Sequence, residues 1–126
     1  MPSAAGRTFL PAHAMRPHRI PMIARTWHGV TDKSKADDYL EYLEESGVKE
    51  YRTTKGNRGV YVLRRDEGDR THFLLVSLWD SFEAIRRFAG PDVERAVYFP
   101  KDKEFLLDFE PKVSHYEVLV APDGIR

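Results

Sequence analysis

The chain has 126 residues, a length typical of one domain, and it contains no cysteine, which excludes a thiol nucleophile, a thiolate metal site and disulfides. Its 20 basic and 20 acidic residues balance, so the charge gives no support for a polyanionic partner such as nucleic acid. No apolar run approaches the roughly 20 residues that span a bilayer, so no membrane partner is predicted. The absence of cysteine favours a reducing compartment such as the cytoplasm.

Residues 1–21 differ in kind from the remainder. They contain four prolines and show no periodicity, which predicts a disordered tail. An organelle transit peptide is also poor in acids and bears arginines, but its amphipathic helix is opposed by these prolines. Translation from Met15 or Met22 is another alternative. We expect one folded domain over residues 22–121 and a short C-terminal tail over 122–126.

Regular patterns begin at Met22. The run MIARTWHGV alternates as a strand does and stops at Thr31-Asp32. A helix is predicted next, with Ser34 and Asp37 as a capping box and Gly47 as its terminator. Its apolar stripe consists of Ala36, Tyr39, Leu40 and Leu43.

The second half of the chain repeats this order. RGVYVLRR and RTHFLLVSLW read as two strands of a hairpin, joined by a turn at residues 66–69. A second helix is predicted with Asp80 as its N-cap, Glu83 as the capping partner and Gly90-Pro91 as its end. Its buried stripe is Ala84, Ile85, Phe88 and Ala89. A short helix over residues 92–98 and a last strand within VSHYEVLV complete the prediction.

This order of strand, helix, strand, strand, helix, strand predicts an α+β fold. It is the ferredoxin-like β-α-β-β-α-β arrangement, with one antiparallel sheet in the order 4-1-3-2. Its helices cover one sheet face, yet Phe73 to Trp79 is apolar at both alternating sets of positions. The second face therefore needs a cover, and we predict a homodimer in which two copies pack sheet against sheet.

Three segments carry a resemblance to a known family. FLLVSLWDSFEAIRRFAG, then VERAVYFPKDKEFLLDFEP, and a terminal HYEVL are similar to the antibiotic biosynthesis monooxygenase (ABM) family, over roughly Met22 to Val120. The resemblance implies a dimeric α+β barrel. Its superfamily includes cofactor-independent quinone-forming oxygenases, haem-degrading enzymes and members without a known activity, so the fold alone does not name a reaction.

The haem-degrading branch is disfavoured by the residues at its motif positions. As the resemblance implies, that branch needs an asparagine on the first strand, a tryptophan in the second helix and a histidine about ten residues later. Without gaps, these positions fall on Thr26, Phe88 and Tyr98. A tyrosine is a much less common haem ligand than a histidine.

The quinone-forming branch is implied to need no metal or flavin. As the resemblance implies, polar side chains hold an aromatic substrate and promote its deprotonation, and the anion reacts with oxygen. His28, His72 and His115 are the candidate bases of the predicted domain, and Tyr98 is the candidate orienting donor. In the predicted sheet the three histidines reach the same end of three adjacent strands. If they share the helix-facing side, they rim a pocket whose other candidate members are Thr26, Trp27, Trp79, Phe88 and Phe99.

Simpler structural explanations of these residues are also open. Each histidine is also explained as a half-exposed strand-end residue, and Trp79 as a core anchor where strand meets helix. A three-histidine metal site is conceivable, although no ligand pair of recognised spacing supports it. Two functions follow as hypotheses: a cofactor-independent monooxygenase acting on an aromatic or polyketide-like substrate, and a non-catalytic dimeric module that binds a small apolar ligand.

Overall fold

The computed structural model describes residues 22–124. The strands are β1 (Met22–Asp32), β2 (Asn57–Glu67), β3 (Arg70–Trp79) and β4 (Ser114–Val118). The α-helices are α1 (Ala36–Glu45), α2 (Gly47–Thr53) and α3 (Phe82–Ala89), and short 3-10 turns cover Lys33–Lys35 and Asp102–Glu104. The tail predicted for residues 1–21 lies outside the described residues, as do residues 125–126.

The four strands form one antiparallel sheet in the order β2-β3-β1-β4. This is the predicted order read from the other edge, so the α+β, ferredoxin-like prediction is confirmed. The hairpin of β2 and β3 closes where Glu67 pairs with Arg70, leaving a two-residue turn. Gly68 has φ +60° in this turn, a conformation that favours glycine.

Strand β1 separates two environments, because neighbouring side chains in a strand point to opposite faces. Its odd-numbered positions from Ile23 to Thr31 are buried, and the even-numbered positions from Met22 to Val30 are partly exposed. The buried row faces the helices and includes Arg25 and Trp27. The side chains of Tyr39, Val48, Tyr51 and Ile85 from the three helices pack into one core with Trp27, Phe73, Leu75 and Trp79 of the sheet.

The prediction that Gly47 ends the first helix is wrong. Ser46 breaks the helix with φ −113° and ψ −93°, and Gly47 begins α2 directly afterwards. The Oγ of Ser46 donates to the carbonyl oxygen of Tyr42 at 2.7 Å, which satisfies a carbonyl at the end of α1. The capping box is also absent, since the chain enters α1 through the 3-10 turn and no side chain caps it.

Two predictions around α3 are wrong as well. The N-cap is Ser81, whose Oγ accepts from the backbone N–H of Ala84 at 3.1 Å, whereas Asp80 binds the Nε of Arg58 at 2.5 Å. Residues 92–98 form no helix, because their backbone pairs with a later segment. The N–H of Ala96 donates to Pro111 O at 2.9 Å, and that of Val113 to Glu94 O at 2.8 Å.

The sheet face opposite the helices, called the open face below, carries large apolar side chains. Tyr61, Leu63 and Leu74 lie next to one another across β2 and β3 and are 46%, 47% and 39% exposed. The expectation that β3 is apolar on both faces is therefore confirmed. A contiguous apolar patch of this kind is typical of an interaction surface.

Gly29 is a point where the packing of β1 tolerates no side chain. A Cβ built on Gly29 would lie 2.2 Å from Cη2 of Trp27, because the indole ring lies along the strand over the glycine. We expect Gly29→Ala to lower the free energy of unfolding by about 1–3 kcal/mol and to change the fluorescence of Trp27, as measured by urea denaturation.

Gly47→Ala is the matched control, since its Cβ would be 3.6 Å from Phe99, an ordinary contact, and alanine favours the helix. Equal stability of both alanine variants and the wild type would contradict the packing described for Trp27.

Candidate functional site

The most unusual side chain in the core is that of Arg25. It projects from β1 beneath α3, is only 2% exposed, and has its guanidinium carbon 5.4 Å from the ring centre of Phe88. One Nη donates to the carbonyl oxygen of Arg95 at 2.8 Å, and Nε has no hydrogen-bond partner. Within residues 22–124 no carboxylate lies within ion-pair distance of Arg25. Burial therefore lowers the pKa of Arg25, but an arginine keeps its charge.

His115 lies next to Arg25 in the sheet. The two residues are paired in the ladder between β1 and β4, and the imidazole packs edge-on against Phe82, the first residue of α3, with ring centres 5.3 Å apart. Its Nε2 atom is buried and has no partner among the residues described. Burial first, and then the charge of Arg25, lowers the pKa of His115 below its ordinary 6.5. His115 is consequently neutral at pH 7 and able to accept a proton.

An apolar pocket opens beside this imidazole. It has a volume of about 520 Å³ and is lined mainly by Ile23, Phe82, His115 and Tyr116. This size falls within the range of small-molecule sites. We call it the histidine pocket.

A smaller cavity lies deeper, between the sheet and the helices. Arg25, Trp27, Tyr51 and Asp102 are among its lining residues, and its free volume is about 20 Å³, room for about one water molecule. The buried carboxyl of Asp102 accepts from the N–H of Phe99 at 2.5 Å and from the hydroxyl of Tyr39 at 3.4 Å. Burial raises the pKa of Asp102. The cavity thus holds a cation and a carboxyl that do not pair with each other.

Tyr98 connects the wall of this cavity to the following loop. Its hydroxyl donates to the carbonyl oxygen of Glu110 at 2.5 Å and accepts from Nε1 of Trp27 at 3.4 Å. Burial raises the pKa of Tyr98, so it remains a phenol. Trp79, by contrast, is fully buried and donates to Oγ of Ser77 at 2.8 Å, which is the behaviour of a core anchor.

The three histidines do not share the helix-facing side, so the pocket that depended on this condition is not formed by all three. His28 and His72 are at even-numbered positions that face the open side, whereas His115 pairs with Arg25 of the buried row. Thr26 also faces the open side and donates to Ser114 O at 3.4 Å. The other predicted pocket members lie on the helix side with His115: Trp27, Trp79, Phe88, Tyr98 and Phe99.

His28 and His72 form a separate cluster on the open face. Nε2 of His28 lies 2.9 Å from Nδ1 of His72, while the outer nitrogens face Glu110 at 2.6 Å and Glu67 at 2.8 Å. The ring planes differ by 17° and the centres are 5.2 Å apart, which together with the 2.9 Å N···N distance places the rings end to end.

Sequence reasoning missed Arg25 and Asp102. Arg25 had a signal, because it occupies an apolar position in the alternation of Ile23 and Trp27, where an arginine is unusual. Asp102 had none, since it lies in an irregular run. The part of the chain that the structure describes contains no group of three or more histidines, aspartates or glutamates arranged to hold a metal. It also contains no helix long and apolar enough to cross a membrane.

Fold and site together define a ferredoxin-like α+β domain with ligand-sized pockets around α3. The chain belongs to the antibiotic biosynthesis monooxygenase family, whose model matches residues 30–96, just over half of its length. A search of curated protein sequences finds no match.

Two solved structures are similar to this chain. One is a Bacillus cereus protein described as a candidate antibiotic biosynthesis monooxygenase, with 12% identity and a TM-score of 0.58 over 82% of this chain and 99% of that chain. The other is Rv0793 from Mycobacterium tuberculosis, with 14% identity and a TM-score of 0.45 over 82% of this chain and 98% of that chain. At 12% identity, the similarity to the Bacillus cereus protein supports the fold of this chain and not its activity.

The lowered pKa of His115 predicts a specific pH dependence of stability. Between its folded pKa and 6.5, the unfolded chain binds more protons than the folded chain, so the wild type loses free energy of unfolding as the pH falls through this window. His115→Gln lacks this titration, and we expect its stability to fall less on acidification. Urea denaturation across this pH range measures the difference. The same pH dependence in both proteins would show that His115 is not held neutral.

Proposed function

We propose that this protein is a cofactor-independent monooxygenase that oxidises a small aromatic or polyketide-like substrate in the histidine pocket. The observation that carries the proposal is the pairing of a neutral imidazole with a buried cation that lacks a carboxylate partner, His115 beside Arg25. Membership of the family supports a monooxygenase-like fold that binds small molecules.

In the proposed reaction His115 accepts the proton of a phenolic hydroxyl. A general base must be unprotonated at the operating pH. Burial, and after it the charge of Arg25, lowers the pKa of His115 and so favours that form. Once the proton is transferred, the substrate carries a negative charge beside His115. Arg25 lines the adjoining small cavity and not the histidine pocket, so its positive charge acts on the substrate from behind the imidazole. A buried guanidinium stabilises such a charge far more than solvent-exposed groups do, since little water screens it.

The electron-rich anion is the species that reacts with oxygen. One oxygen atom enters the ring and the second leaves as water, while the substrate supplies all the electrons as it becomes a quinone. This balance needs no external reductant. The other candidate residues lie outside the histidine pocket: Trp27 and Phe99 line the small cavity around Arg25, and Phe88 and Tyr98 line a groove beyond the end of α3. Tyr98 can donate to a substrate only after releasing the carbonyl oxygen of Glu110.

A non-catalytic module that binds a small apolar ligand is the second candidate. The cavity that contains Arg25 has room for about one water molecule, so an aromatic ring cannot enter it without movement of its walls. A ligand confined to the histidine pocket would contact His115 and Phe82 and undergo no reaction.

We also propose that the protein works as a homodimer, with the open faces of two copies in contact. Proteins of this family are generally dimeric. Tyr61, Leu63 and Leu74 supply an apolar surface that burial in a symmetric contact would remove from water.

Oxygen consumption with a panel of dihydroxyaromatic substrates tests the monooxygenase. We expect turnover by the wild type, a loss of about 10²–10⁴-fold in kcat/KM for His115→Gln, and a loss of about 10²–10³-fold for Arg25→Met. Circular dichroism checks that the variants are folded.

His72→Gln is the control, because it removes an imidazole from the opposite face of the sheet. It is expected to retain activity, and sedimentation velocity checks that this variant, whose substitution lies on the open face, still dimerises. Equal losses in the His72 and His115 variants would contradict the assignment of the base. Ligand binding by the wild type without oxygen consumption would favour the non-catalytic module.

A further inference from the structure

Two histidines on the open face form a cluster that neither the packing of the core nor the proposed reaction uses. His28 of β1 and His72 of β3 are diagonal neighbours, because His28 pairs with Leu74 and His72 with Val30 in the ladder. Diagonal neighbours on one face of an antiparallel pair lie within reach of ring side chains. The two imidazoles meet there, with Nε2 of His28 2.9 Å from Nδ1 of His72. We call this cluster the histidine pair.

Each ring of the histidine pair has a carboxylate at its outer nitrogen. Nδ1 of His28 lies 2.6 Å from Oε2 of Glu110, and Nε2 of His72 lies 2.8 Å from Oε1 of Glu67. A histidine that binds a metal ion usually has this arrangement, in which one ring N–H donates to a carboxylate and the other nitrogen binds the ion. In the neutral rings, both inner nitrogens therefore direct a lone pair into the same gap.

Strand pairing does not account for this cluster. β1 and β3 already pair along residues 23–32 of β1, so the strands need no further link between side chains. Rings that only joined the two strands would also gain nothing from a carboxylate on each outer side. The arrangement of four polar side chains is instead typical of oriented metal ligands.

The surroundings leave room for an ion and its water molecules. The imidazoles line a surface cavity of about 340 Å³, and their side chains are 36% and 21% exposed. Two arginines also line this cavity, but carboxylates balance their charge. Arg64 forms ion pairs with Asp37 and Asp66, and Arg65 lies 3.9 Å from Glu67.

The spacing of the inner nitrogens is close to that of two ligands on one ion. Zn²⁺ binds histidine nitrogen at about 2.0–2.1 Å in tetrahedral geometry, so two such nitrogens lie about 3.3 Å apart. The gap of 2.9 Å has to widen by only about 0.4 Å to reach this spacing. The rings must also tilt so that both lone pairs point at the ion, which the broad χ2 torsion of histidine allows.

We propose that the histidine pair binds a divalent transition-metal ion, Zn²⁺, Ni²⁺ or Cu²⁺, through Nε2 of His28 and Nδ1 of His72. These ions favour imidazole nitrogen, whereas Mg²⁺ favours oxygen ligands. Glu110 and Glu67 orient the rings, and water molecules complete the coordination, since the chain supplies two ligands. Each chain carries both ligands, so one ion binds per chain whether or not two copies pack together.

This site is independent of the proposed reaction. It lies on the opposite face of the sheet from His115, and the reaction proposed for the histidine pocket uses no metal. Failure of the monooxygenase proposal would therefore leave the metal site standing, because its test does not measure oxygen consumption.

The test titrates Zn²⁺ into the full chain, without an added affinity tag, by isothermal titration calorimetry. We expect one site per chain and no binding of Mg²⁺. Loss of a group that only orients a ligand costs about 10–100-fold in affinity, so Glu110→Gln should weaken Zn²⁺ about tenfold. His28→Gln and His72→Gln each remove a ligand and should weaken it by about 100-fold or more. Circular dichroism checks that the variants are folded.

His115→Gln is the matched control, because it removes an imidazole from the helix side of the sheet, and it should bind Zn²⁺ as the wild type does. Nitrogen-15 NMR of the imidazole rings then identifies the ligating atoms. On addition of Zn²⁺ we expect the signals of His28 Nε2 and His72 Nδ1 to shift, and those of the two outer nitrogens to change little.

No measurable binding of Zn²⁺ by the wild type would overturn the proposal. So would a Zn²⁺ affinity that is unchanged in both His28→Gln and His72→Gln, since the ion would then bind elsewhere, for example at His13 or His18.

Discussion

The alternation of side chains along β1 is the constraint on which the rest of the structure depends. This central strand is paired on both sides, and all the helices that contribute to the core pack on one of its faces. Every odd-numbered side chain is therefore buried, whatever its chemistry, and every even-numbered one looks toward the open face. The odd-numbered row places Trp27 and Arg25 in the core, and the even-numbered row places His28 on the open face.

Burial of Arg25 has consequences for its neighbours. A guanidinium removed from water without a carboxylate is costly for a fold that gains nothing from it. Its hydrogen bond to the backbone of Arg95 and its position over Phe88 offset part of this cost. Burial of the adjacent imidazole, and after it the charge of Arg25, lowers the pKa of His115 and favours the form that can accept a proton. The same side chain thus links core packing to the proposed chemistry.

Much of the fold could be predicted from the sequence, since the alternation of the strands and the turn chemistry of the hairpin are local signals. The errors arose where a long-range interaction decided the structure. Residues 92–98 look helical alone, but their backbone pairs with residues 111–113. Asp80 is at a position typical of an N-cap, but its carboxylate binds Arg58 and the side chain of Ser81 caps α3.

The site was harder to predict than the fold. All three histidines were found, but their faces depend on strand register, which the sequence alone does not determine. In the observed register, His28 and His72 lie on the open face and His115 lies on the helix side. A register shifted by one position would exchange these faces. Arg25 was overlooked because exposed arginines are common, and only the observed register shows that this one is buried. Asp102 reaches the core from a loop, for which no periodic pattern exists.

The apolar character of the open face follows from the same alternation of side chains along the strands. The side chains that β2 and β3 direct away from the helices are large and apolar, so the sheet has more apolar surface than the three helices cover. In the proposed homodimer a second copy of the chain covers this surface, and His28 and His72 lie on the same face. Among the residues described, no other region of the sheet exposes a patch of large apolar side chains like this one.

Sedimentation velocity over a range of micromolar concentrations tests this claim most directly, with Leu74→Lys on the open face and Phe109→Lys as a control of similar exposure (39% and 41%) that packs against Tyr98 on the helix side. The account predicts a wild-type species with twice the mass of one chain, a folded monomer for Leu74→Lys, and a dimer for Phe109→Lys. A wild-type monomer throughout this range, or a Leu74→Lys variant that dimerises as strongly as the wild type, would contradict it.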